Sequence, residues 1–231
     1  MFASCTSRFQ RRGPPPLDAE TQLRSLIIRV GDGESPNKEI TGLTVALRAD
    51  IATTDSVIKK TLLECIASLP TKSVTYGVLL GILNSDSYDF VEEFLEELRS
   101  GLSSALQAMD FRRSRLLFRF IGILVRCNVL LPAAILDCLS LMEKLASDLK
   151  KSGHQEVGDQ VVLIALSATS WVGQELEARV PEQFTEVVEN FGSYIKSRES
   201  KIPASRSIFV SERNVDSKDT GNEQCKVFSQ E

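Results

Sequence analysis

The chain has 231 residues, 42% hydrophobic and 25% charged, with 27 basic against 31 acidic side chains and a net charge of −4. That balance belongs to a globular protein with a sizeable core that needs neither disulfides nor metals to hold it. It excludes a domain that grips nucleic acid by bulk positive charge, so any RNA contact must be local or supplied by a partner.

Residues 1–17 read as a disordered basic arm. They carry Arg8, Arg11 and Arg12 and no acid before Asp18, which suits a role in nuclear targeting. A short organellar presequence is the alternative, but Pro14, Pro15 and Pro16 follow at once. The prolines stop any helix and leave Asp18 as an N-cap.

A series of helical stripes follows. Leu23, Leu26, Ile27 and Val30 recur at helical spacing, and Gly31 and Gly33 end that helix. Ile40, Leu43, Leu47 and Ile51 make a second stripe. Ile58, Leu62, Cys65, Ile66 and Leu69 make a third, closed by Pro70. Val74, Val78, Leu79 and Ile82 give a short fourth. Ser85 or Asp86 is placed to cap a fifth, with Phe90, Val91, Phe94, Leu95, Leu98, Leu102 and Leu106 on one face and Glu92, Glu93, Glu96 and Glu97 on the other. That acidic face reads as solvated rather than as a partner site.

The sixth helix, from about Phe111 to Cys127, is apolar on most sides and is expected in the middle of the core. Pro132 opens a seventh at its first turn, with Ile135, Cys138, Leu139, Met142, Leu145 and Leu149. Val161, Ile164, Ala165 and Ala168 mark an eighth, before Trp171. Phe184, Val187, Val188, Phe191 and Ile195 mark the last, with Pro181 near its start. No sustained period-two alternation or hairpin turn intervenes. About nine or ten helices with short links predict an all-α fold, a HEAT-like stack of antiparallel helix pairs over residues 18–198. From about Glu199 the chain turns polar, and 199–231 reads as a flexible tail.

Chemistry is sparse. The single histidine, His154, lies in KKSGHQE and reads as an exposed loop residue. There is no GxSxG, P-loop or HExxH. The fragment Gly31-Asp32-Gly33 follows a helix and reads as a C-cap. No catalytic, cofactor or metal residue is assigned, and no enzyme activity is expected. Cys5, Cys65, Cys127, Cys138 and Cys225 are odd in number and form no CxxC pair. They read as buried, reduced thiols of an intracellular protein. No apolar run is long enough to span a bilayer: Leu116 to Ile135 is broken by Arg119, Arg126, Asn128 and Pro132.

Arg112, Arg115, Arg119 and Arg126 fall within about 60° on a helical wheel. Such a stripe can grip phosphates or an acidic peptide. Arg112 and Arg115 read as exposed, and are the candidates for RNA or partner contact. Arg119 and Arg126 are expected to pair with carboxylates on neighbouring helices. Arg119, Phe120, Trp171 and Gly173 are assigned as structural anchors, with Trp171 holding the link between two helices.

LRSLIIRVGDG, YGVLLGILNSDSYDFVEEFLEEL, LLFRFIGILVRCNVLLPAAIL and SWVGQELEARVP occur in that order. Together they resemble the large subunit of the nuclear cap-binding complex over residues 20–198. The specific tokens are Tyr76, Leu80, Gly81, Leu83, Asn84, Phe90, Arg119, Phe120, Val129, Trp171, Gly173, Glu175 and Leu176. The resemblance implies the first of three helical domains of the type named for the middle part of initiation factor four-gamma. It also implies a partner, a small subunit with an RNA-recognition fold, which stacks the methylated guanosine cap of mRNA. The resulting nuclear complex recruits splicing, export and decay factors. The family's chain is several times longer, its small subunit docks mainly on later domains, and its cap-contacting residues lie on that subunit. No such residue is carried over to this chain. A helical-repeat module for RNA binding or translation initiation, nuclear or cytoplasmic, is the alternative.

Overall fold

A computed structural model describes residues 18–198. The expected arm at 1–17 and tail at 199–231, with Cys5 and Cys225, lie outside the described residues. The described chain is all-α, with eight helices and one 3-10 turn and no strand: α1 Ala19–Arg29, α2 Pro36–Ser68, the 3-10 turn Pro70–Lys72, α3 Ser73–Asp86, α4 Tyr88–Gln107, α5 Phe111–Arg126, α6 Pro132–Lys151, α7 Gln155–Arg179 and α8 Pro181–Lys196. The unit that ends at Phe191 carries all the packing described below. A second unit begins at Gly192, within α8, and its described residues form that helix's end.

Local chemistry sets most boundaries. Asp18 caps α1, its carboxylate accepting from Thr21 N–H at 2.8 Å, as expected of an acid at this position. Glu39 reaches back across the α1–α2 turn and accepts from Gly31 N–H at 2.9 Å. Lys72 closes the other end of α1, donating to the Ile28 carbonyl at 2.6 Å and pairing with Asp32 at 2.7 Å. A cation here satisfies the last carbonyls and the negative end of the helix dipole. At the end of α5, Val129 N–H bonds Leu124 O and Asn128 N–H bonds Val125 O, with Asn128 at φ 57°. This is the Schellman arrangement, and asparagine tolerates its left-handed residue.

Several expected boundaries shift. The stripes at 40–51 and 58–69 belong to one helix, α2, kinked at Thr54 (φ −128°, ψ 20°). The hydroxyls of Thr53 and Thr54 both donate back to the Asp50 carbonyl, a substitution that bends helices without ending them. The N-cap of α4 is Ser87, not Ser85 or Asp86; Asp86 is instead drawn into an ion pair with Arg48. Trp171 does not hold a link, because α7 runs uninterrupted through it to Arg179.

The helices pack in sequence order, α1 on α2 and α2 on α3, with α4 and α3 on α5. α5 then packs against α7, and α7 against α6. Helix α5 lies at the centre, touching α2, α3, α4, α6 and α7. That is the outcome its all-round apolar sequence predicts. Phe120 is fully buried, edge-on to Phe94 of α4 with ring centroids 6.4 Å apart. On the opposite side Gly122 faces Ala168 and Val172 of α7.

In α3 the expected Val74 and Val78 are exposed, and the buried face is Tyr76, Gly77, Leu79, Leu80 and Leu83. Leu26, Leu145, Val188 and Ile195, placed on inner stripes from sequence, are about half exposed at the stripe edges. No single described helix is long and apolar enough to cross a membrane. α2 and α3 meet that length and composition only as a pair bent by 110°, and their apolar faces are buried in the core.

One buried charge was not foreseen. Lys59 on α2 is only 7% exposed and faces three carboxylates: Glu93 at 2.6 Å, Asp55 at 3.0 Å and Glu97 at 3.6 Å. Burial alone pushes its ammonium pKa down, but the hydrogen bonds to Glu93 and Asp55 outweigh it and raise the pKa above the ordinary lysine value. The raised pKa means that the folded state favours the charged form. This contribution is complete below the unfolded value of about 10.4 and is lost as pH climbs through the folded value. Lys59→Met keeps the stem and removes the cation from three carboxylates that solvent still reaches. It should lower stability at neutral pH by about 1 kcal/mol. In urea melts, the gap from wild type should stay constant up to about pH 10 and narrow from there to about pH 12. A gap that widens over that range would contradict the assignment.

Candidate functional site

The candidate site is the outer face of α5, where it borders α7 and the 3-10 turn. Asp110 starts the helix by accepting from Arg113 N–H at 3.0 Å. The first turn then presents Arg112 and Arg113 to solvent, and Arg115 follows, also exposed. The exposure expected for Arg112 and Arg115 is what the fold provides.

Arg119, one turn on, is half-buried. Its guanidinium lies over the Trp171 ring, 4.4 Å from the centroid, and donates to the Pro70 carbonyl at 2.8 Å. It therefore ties three elements together: α5, α7 and the turn before α3. Desolvation, and then the Arg115 charge beside it, pull its pKa below the ordinary arginine value, yet a guanidinium so placed stays protonated. Arg126, at the far end of the strip, is exposed and donates to the Trp171 carbonyl at 3.4 Å.

The expectation that Arg119 and Arg126 pair with carboxylates is therefore corrected: both use backbone carbonyls, and Arg119 adds an aromatic face. Among the described residues none of Arg112, Arg115, Arg119 and Arg126 forms an ion pair. Beside Trp171, Gly173 faces α8: a Cβ there would sit 3.5 Å from Phe184 Cζ, an ordinary contact distance. Two turns below, Arg179 donates to Asn128 at 3.3 Å and pairs with Glu175 at 3.2 Å. This last contact had a sequence signal, since Glu175 and Arg179 stand at i, i+4; Asn128 had none.

The acidic groups gather elsewhere. A shallow groove of about 400 Å³ at the α2 kink is lined by Asp55, Asp89 and Glu93 with Ile51 and Phe90. Another, of about 230 Å³, runs between α6 and α8 and is edged by Asp137 and Glu186. On the acidic face of α4, Glu93 and Glu97 are engaged by Lys59 and Glu96 by Arg99.

His154 is exposed at the N-cap of α7. Among the described residues no group of three His, Cys, Asp or Glu side chains converges as a metal site. Cys65 is buried and beside Tyr76, whereas Cys127 and Cys138 are half-buried rather than buried. Burial raises the pKa of all three thiols.

Residues 20–219 match the model of the MIF4G domain. The chain belongs to the MIF4G-domain family. Among similar proteins are those named nuclear cap-binding protein subunit 1. The Salmo salar protein is 30% identical over 195 residues, 83% of this chain and 24% of its own length. Those of Aedes aegypti and Xenopus tropicalis are each 28% identical, over 84% and 82% of this chain and 24% of their own lengths. This MIF4G domain thus spans about a quarter of the length of these relatives. The helical stack expected from the periodicity is the fold of this family.

Proposed function

We propose that this MIF4G domain is a non-enzymatic scaffold of the nuclear cap-binding complex. In that reading a small subunit with an RNA-recognition fold binds the mRNA cap, and the helical stack offers surfaces to mRNA processing, splicing, export and decay factors. The observation that carries it is the similarity to proteins named nuclear cap-binding protein subunit 1 along 82–84% of this chain. The geometry supports it. The buried interior is committed to packing, and the grooves at the α2 kink and between α6 and α8 are shallow and open. The lone histidine stands exposed at a helix boundary, a poor place for a general base.

The test is affinity purification of the tagged chain from nuclear extract, with identification of what is retained. The expected result is recovery of an mRNA export adaptor or of a small RNA-recognition-fold subunit, together with nuclear accumulation of the chain in cells. Recovery of neither would overturn the scaffold reading.

A further inference from the structure

We infer that the outer stripe of α6 is a self-association surface, on which a second copy of this chain docks antiparallel, α6 against α6. This goes beyond the scaffold reading and does not depend on it.

Helix α6 buries one side only. Ile135, Leu136, Leu139, Met142 and Ala146 are buried, and the helix packs on α7 and more lightly on α5. One flank of that side borders α8 across the groove edged by Asp137. The other flank carries Leu131, Ala134, Cys138, Leu141 and Leu145. On a helical wheel this stripe is centred about 110° from the middle of the buried side, on the side away from α8. Leu131 is 72%, Leu141 65% and Leu145 47% exposed. Exposed apolar residues scattered singly are ordinary on a surface, but these five advance by alternating steps of three and four residues. That is the spacing of a coiled-coil seam, which is matched by another helix. Asp148, one step further, ends the seam and pairs with Lys151.

Charge identifies the other helix. When two copies of α6 cross antiparallel, the apolar residues set the register: Cys138 of each copy meets Leu141 of the other, and Ala134 meets Leu145. In that register Asp137 of each copy falls beside Lys144 of the other, twice over by symmetry. The apolar layers alone determine this match. Asp137 and Lys144 are both exposed, and neither forms an ion pair among the described residues. A parallel pair would instead set them beside Met142 and Leu149 of the other copy, where neither charge has a counterpart. An unrelated helix could match the apolar spacing, but the change of sign from Asp137 to Lys144 fits this helix reversed upon itself. The seam is short, about 16 Å from Ala134 to Leu145, so the pair belongs with weak, exchanging interfaces.

The experiment is sedimentation equilibrium of the full chain from about 5 to 200 µM, the range in which a weak dimer forms. The expected result is a rise with concentration from the monomer mass towards twice that mass. Leu141→Asp places a charge in the seam and should weaken association at least about tenfold. Its side chain is exposed, so helical circular dichroism and melting should match wild type. Asp137→Lys and Lys144→Asp, each alone, set like charges together and should weaken association at least about fivefold. Mixing those two variants should restore association to near the wild-type strength, because each copy then meets the opposite charge at both pairs. A wild-type chain that stays monomeric at the highest concentration, as when a different protein or segment covers the stripe, would overturn the inference. So would a dimer indifferent to Leu141→Asp, or a mixture that associates no better than either variant alone.

Discussion

Phe120→Ala is expected to destabilise the fold by about 3–5 kcal/mol, read as a lower urea midpoint and a melting temperature reduced on the order of 10 °C. The ring is fully buried, so the substitution removes the transfer free energy of a whole aromatic side chain and leaves a cavity. Collapse of that cavity is opposed from several sides, because α5 is held between α4, α3 and α7. Phe94 also loses its edge-on partner at 6.4 Å, worth about another 0.5–1.5 kcal/mol. A loss of less than about 1 kcal/mol would mean that α5 is not the centre of this stack. Phe120 points away from the arginine strip, one residue or about 100° around the helix from Arg119. Under conditions where the variant remains folded, the stacking of Arg119 on Trp171 should therefore survive, which separates the core role from the surface role.

That separation explains what was legible in the sequence. Apolar periodicity reports which helix is surrounded, so the central place of α5 could be read directly. So could caps whose donors lie within one turn, such as Asp18. What could not be read depends on partners distant in sequence or on groups that every residue carries. Arg119 meets the carbonyl of Pro70, 49 residues away, and a backbone carbonyl leaves no trace in side-chain pattern. Trp171 looked like the edge of a link because SATSWVGQ is rich in small polar residues. The hydroxyls of Ser167, Thr169 and Ser170 in fact fold back onto carbonyls three residues earlier. Packing of Ala168 and Val172 on Gly122 is available to hold the helix through that stretch. Lys59 was overlooked because lysine is so seldom buried, although Asp55 stands one turn before it. The face of α3 was misjudged for the opposite reason: glycines add no apolar signal even where two helices come closest.

That last point yields the other large effect. Gly77→Val should cost about 2–4 kcal/mol and should alter the fluorescence of Trp171, the only tryptophan in the chain. A Cβ at Gly77 would lie 2.5 Å from Ile123 Cγ2 and 3.2 Å from Cys127 Sγ. At Gly81, one turn on, a Cβ would lie 3.1 Å from the Cys127 carbonyl. The branched methyl of Ile123 cannot swing away as the end of a long side chain would, so α3 has to move off α5. The 3-10 turn leads directly into α3, so that movement carries with it the Pro70 carbonyl that holds Arg119 over Trp171. Fluorescence therefore reports the displacement independently of stability. Gly42→Ala is the control. It lies in α2 with no atom within 4 Å of the added Cβ, and it should stabilise by about 0.5–1 kcal/mol because alanine is the better helix former. Opposite signs for the two substitutions would show that the close approach of α3 to α5, and not glycine's effect on helix formation, fixes the platform under the arginine strip. Equal, small effects would dissolve that link.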